Sequence, residues 1–77
     1  RAKIICSVTK GDPPIRFKWL QNGKTFVPTG KVTVQLLEDS SIILFRRIKA
    51  SDRGAYTCIA TNAATSTNIT SQLVVNA

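Results

Sequence analysis

Histidine and methionine are absent from this 77-residue chain, acids number only four, and sulfur is confined to Cys6 and Cys58. Each shortage removes a class of function. There is no imidazole, and no carboxylate pair beyond the neighbours Glu38 and Asp39, so no nucleophile has a positioned base. The sequence therefore reads as a non-enzyme that needs no cofactor. Two thiols with so few acids also make a poor metal centre, because structural zinc takes four nitrogen or sulfur ligands. No apolar run is long enough to cross a bilayer as a helix. Any membrane attachment is expected in a segment outside this chain; no signal peptide is read in it, so any secretion signal is expected to have been removed or to lie outside this chain.

What remains for Cys6 and Cys58 is a disulfide, which implies an oxidising, extracellular setting. A chain this short buries only about 60 % of its unfolded surface, so a covalent staple is valuable. Closing a loop of this length stabilises by ~4 kcal/mol on the chain-entropy model.

Charge is one-sided: eleven Lys and Arg face Asp12, Glu38, Asp39 and Asp52, for a net +7. Apart from Arg46-Arg47 the cations are spaced singly, and no aromatic run interleaves with them to stack bases. Nucleic acid is therefore not the expected partner. A solvated basic surface accounts for the charge, and an acidic partner such as heparan sulfate is the alternative.

Turn signals recur at short spacing: "GDPP" at 11–14, "NG" at 22–23, "PTG" at 28–30, "EDSS" at 38–41, "DRG" at 52–54 and "NAATS" at 62–66. Between them lie strand-length runs without helical periodicity, the pattern of an all-β antiparallel sandwich or barrel. Residues 1–77 read as one domain. Side chains alternate along a strand, so the cysteines set the phase. Cys58 carries Tyr56 and Ala60 inward, and Cys6 carries Ile4 and Val8, leaving Lys3, Ile5 and Ser7 outside. In "IRFKWL", Ile15, Phe17 and Trp19 go in.

A cysteine, a tryptophan thirteen positions later, and then "DRGAYTC" resemble the immunoglobulin fold, in its intermediate set. The resemblance implies a Greek-key sandwich with Cys6 on strand B, Trp19 on C against the disulfide, and Cys58 on F. It makes Tyr56 a tyrosine corner whose hydroxyl returns to backbone near Asp52, and it gives Gly54 a turn position closed to a Cβ. It also places Lys31 where such domains usually carry arginine, paired with Asp52. Lysine lacks the bidentate fork, so that salt bridge should be weak. Since Arg1 already falls on strand B, strand A is expected to be missing from the sequence.

"CSVTKGDPP", "SSIILF" and "ATNAA" are similar to repeats of the Down syndrome cell adhesion molecule (Dscam) family. That likeness implies homophilic recognition in neuronal wiring, and a cell-surface or secreted parent. Two other binding roles compete. One is a ligand- or heparan-sulfate-binding domain of a growth-factor or guidance receptor; the other is a passive spacer.

"SSIILF" poses the functional question, because four large apolar residues in a row cannot all enter one core. Parity sends Ile43, Phe45 and the later Ile48 inward, and Ile42 and Leu44 outward. On the flanking strands Ile5 on one side, with Thr33, Gln35 and Leu37 on the other, also face out. Ile5, Ile42 and Leu44, ringed by Lys3, Thr33, Gln35 and Arg46, form the candidate interface. Finally "NIT" at 68–70 is an acceptor sequence for N-linked sugar on Asn68, which should project from the opposite sheet beside inward Leu73 and Val75.

Overall fold

The computed structural model describes residues 2–74, so Val75 lies outside the described residues. Among the described residues seven strands run in the order β1 (Ala2–Ser7), β2 (Arg16–Gln21), β3 (Lys24–Thr25), β4 (Val32–Leu36), β5 (Ser40–Phe45), β6 (Gly54–Thr61) and β7 (Ser66–Leu73). A 3-10 turn, Ala50–Asp52, precedes β6. The strands form two antiparallel sheets, β1-β5-β4 and β3-β2-β6-β7. Chain neighbours β1 and β2 lie in different sheets, as do β5 and β6, which is the Greek-key crossing of a sandwich.

Alternation along each strand builds the core. Ile4 and Cys6 of β1, Ile43 and Phe45 of β5, Trp19 of β2, and Tyr56, Cys58 and Ala60 of β6 are buried. Phe17, Phe26, Val32, Ile48 and Leu73 pack around that cluster. The Cys6–Cys58 disulfide joins the sheets across a sequence separation of 52 residues, with Cα atoms 6.3 Å apart. Phe26 and Phe45 meet the Tyr56 ring edge-on at centroid distances of 5.6 and 5.7 Å, a favoured aromatic geometry.

The turns follow their residues. Asn22-Gly23 closes the β2–β3 hairpin with both φ angles positive, at 51° and 82°, as a two-residue turn matched to strand twist requires. Asn62 organises the β6–β7 hairpin: its Oδ1 accepts from the amides of Ala64 and Thr65, each at 2.9 Å. Gly54 has φ +134°, and a Cβ there would collide with the Asn22 side chain. That side chain must come close because its Oδ1 accepts from the Ala55 amide at 3.0 Å.

Two expectations need correction. The turn anticipated over residues 38–41 is shorter, since Ser40 and Ser41 already belong to β5 and are buried. Leu37 N donates to Ser40 O at 2.8 Å, so Glu38 and Asp39 alone span the hairpin tip. The second concerns Lys31 and Asp52, between which no ion pair forms among the described residues. The Asp52 carboxylate instead accepts from the backbone amide of Lys49 at 2.8 Å and caps the 3-10 turn. A local amide three residues away is held in place by the turn itself, whereas a long lysine chain must be ordered to make the contact.

Parity also leaves an imperfect edge. Val34 and Leu36 fall on the inward side of β4, yet are 39 % and 69 % exposed. The facing sheet ends in β3, only two residues long, which is too short to cover them.

Candidate recognition face

The outer surface of β1-β5-β4 is built from cross-strand rungs. Ile5 pairs with Ile42, and Ile42 with Gln35; Lys3 pairs with Leu44, and Leu44 with Thr33. Directly paired residues point to the same side of a sheet, so these six side chains share one face. It is the face opposite the disulfide, because the alternate rung Ile4–Ile43 is buried. The structure thus brings Ile5, Ile42, Leu44, Lys3, Thr33 and Gln35 together. Arg46 follows one step beyond the strand, exposed, with its backbone N–H donating to Lys31 O at 3.0 Å.

Exposure varies across the patch. Ile5 is 52 % exposed, while Ile42 and Leu44, in the central strand, are half-buried by their neighbours on either side. Leu37, just past β4, is 53 % exposed at the hairpin tip. The result is a low apolar ridge with a polar margin.

Charge is distributed unevenly along it. Glu38 and Asp39 sit at the β4–β5 turn, where the strand begins; Lys3, Lys31 and Arg46 cluster where it ends. From Ser40 to Arg46 the strand covers roughly 20 Å at about 3.4 Å per residue. The face is therefore acidic at one end, apolar in the middle and basic at the other.

A buried polar chain holds this face to the core. The Trp19 indole Nε1 donates to Ser41 Oγ at 2.9 Å, and that hydroxyl donates in turn to the Gln35 carbonyl at 3.2 Å. One serine thus ties β2 of the other sheet to the β5 and β4 strands carrying Ile42 and Gln35. Ser41 is the residue that sequence reasoning missed. The available signal was parity, since Ser41 alternates with Ile43 and Phe45, together with the need of a buried indole N–H for an acceptor.

At the lower end of the sandwich the Tyr56 hydroxyl donates to the Asp52 carbonyl. Burial of the ring, and secondarily the Asp52 carboxylate, raises its pKa from 10.0 to about 12. On the other sheet Asn68 pairs with Ile59 and so faces outward, away from the disulfide; it is exposed. No group of three or more potential metal-ligating side chains occurs among the described residues.

A two-sheet Greek-key sandwich pinned by a disulfide, with tryptophan and tyrosine in these places, is an immunoglobulin domain. The immunoglobulin I-set domain model matches residues 1–75, and the chain belongs to that family. Among curated proteins it is 36 % identical over 72 residues to the cell adhesion molecule DSCAML1 of Mus musculus, a match covering 94 % of this chain and 4 % of that protein. It is likewise 36 % identical over 77 residues to the cell adhesion molecule Dscam1 of Drosophila melanogaster, covering 97 % of this chain and 4 % of that one. The chain thus spans about 4 % of the length of these relatives. The crystal structure of the Dscam1 Ig7 domain, isoform 5, superposes with a TM-score of 0.86 at 34 % identity, covering 96 % of this chain and 77 % of that one.

Proposed function

We infer that this chain is an extracellular immunoglobulin module of a cell-surface adhesion receptor, and that it recognises a second copy of itself through the outer face of β1-β5-β4. The observation that carries this reading is the ordering of acidic, apolar and basic segments along β5. When two such faces stack about 10 Å apart with their β5 strands antiparallel, a two-fold axis brings Glu38 and Asp39 of each copy toward Lys3, Lys31 and Arg46 of the other. Ile42 of one copy then meets Leu44 of the other. Such a contact is self-complementary, as a two-fold interface must be. Local pairing at both ends offsets the repulsion of a net +7. The adhesion-molecule relatives support the adhesion-receptor part of this reading; the self-recognition we propose is a neuronal one.

A single sheet face lies at the small end of specific interfaces, below ~1,200 Å² in total. One domain pair is therefore weak, and several in register on apposed cells act by avidity. Leu44→Asp tests the face. The side chain is outward, so the variant folds with an unchanged circular dichroism spectrum, while sedimentation shows loss of self-association. Equal association of variant and wild type overturns the proposed face.

One observation favours a second reading. Arg46, Arg47, Lys49 and Arg53 are all exposed around the 3-10 turn, a basic cluster suited to a sulfated glycan such as heparan sulfate. Ionic strength separates the two, since contacts with an anionic polymer weaken steeply with salt and an apolar sheet contact does not.

A further inference from the structure

The outer face of the second sheet carries a different set of rungs. Lys18 pairs with Ile59 and Ile59 with Asn68; Leu20 pairs with Thr57 and Thr57 with Thr70. Two apolar residues, Ile59 and Leu20, lie half-buried there among polar ones, and nothing in the core accounts for them. Asn68 and Thr70 are the first and third residues of an Asn-Ile-Thr acceptor sequence. Both sit on β7, an edge strand, with exposed side chains on the same outward face. Thr70 Oγ1 lies 3.0 Å from Thr57 Oγ1, which holds the outward side of β7 in register with β6. The disulfide is consistent with passage through an oxidising secretory compartment, where such sugars are added.

We propose that Asn68 bears an N-linked oligosaccharide that covers Ile59 and Leu20 and makes the β2-β6-β7 face a non-contact surface. The donor is a lipid-pyrophosphate-linked oligosaccharide. Asn68 Nδ2 forms a bond to the anomeric carbon, and the bond from that carbon to the pyrophosphate oxygen breaks. The electron pair leaves with the lipid pyrophosphate, and the amide loses one proton. The sugar then stands over the Ile59 rung, and protein contact is confined to the opposite sheet. That division of faces rests on the self-contact reading above; the attachment of sugar does not.

The test is intact mass of the chain secreted from eukaryotic cells, before and after peptide N-glycosidase, which converts a sugar-bearing asparagine to aspartate. Wild type and Thr70→Ser carry sugar at residue 68, while Asn68→Gln and Thr70→Ala carry none. An unmodified Asn68 in folded, secreted wild type overturns the site. Asn68→Gln preserves an exposed amide, so it folds even if Thr70→Ala, which loses the Thr57 contact, does not. Sedimentation of sugar-bearing wild type and of Asn68→Gln supplies the second readout. Equal self-association supports the division of faces, and association of the sugar-free form alone overturns it. Absence of association in both forms overturns the self-contact reading and the division of faces resting on it, while the mass result alone decides the sugar site.

Discussion

Trp19 and Ser41, 22 positions apart in sequence, are joined across the sandwich by a buried hydrogen bond of 2.9 Å, Nε1–H to Oγ. It is the polar counterpart of the nearby disulfide. Both connect the sheet that carries the proposed contact to the one behind it, and together they determine how Ile42 and Gln35 are presented.

Ser41→Ala leaves the indole N–H without an acceptor in a dry environment, so it should destabilise by about 1–3 kcal/mol. Urea denaturation reads this as a lower midpoint at unchanged slope. The variant also frees the Gln35 carbonyl, and amide exchange should accelerate along β4 more than along β6.

Reduction of Cys6–Cys58 removes the constraint on a 52-residue separation and should cost about 4 kcal/mol. For so small a core that is a large share of total stability. Thermal melts with and without reductant measure it, and a reduced chain that melts at the oxidised temperature contradicts the expectation.

Tyr56 gives the domain an alkaline limit. Its pKa is raised from 10.0 to about 12, chiefly by burial. Below pH 10 the hydroxyl is neutral in both folded and unfolded chains, and its contribution to stability is fully present. Between pH 10 and about 12 the unfolded chain ionises while the folded one keeps its proton, so stability falls with rising pH. Tyr56→Phe should be less stable at pH 7, by about 1 kcal/mol for the lost hydrogen bond. It should also lose less stability over the alkaline interval, which denaturant midpoints across pH report.

Lys31 and Asp52 separate a cap from a salt bridge. Because the Asp52 carboxylate accepts from Lys49 N, Asp52→Ala should cost about 0.5–2 kcal/mol, as loss of a cap does. Lys31→Ala should change stability by no more than about 0.5 kcal/mol. Similar large losses in both variants would restore the ion pair as the better description.

Much of the fold was legible because strand periodicity is rigid. Cys6 set the phase of its strand and left Ile5 outside, and counting back from Asp52 set that of the next, so two-residue alternation sent Ile43 and Phe45 in and Ile42 and Leu44 out. The hairpin at Asn22-Gly23 was equally readable, since those residues tolerate positive φ. These are local rules, and a local rule needs no knowledge of distant neighbours.

Other features depended on what lies opposite, and only the tertiary structure decided them. Parity places Val34 inward, but its exposure follows from the shortness of β3 on the other sheet. Ser41 looked like a turn residue among "EDSS" until the Trp19 indole supplied its reason for burial. The motif offered Asp52 the Lys31 ammonium, and the 3-10 turn gave it the Lys49 amide instead. The rung Ile5–Ile42–Gln35 likewise joins residues remote in sequence. Which face each side chain takes was written along the chain by its own geometry; which residue stands beside it depended on register between strands, set by turn lengths and core packing acting together.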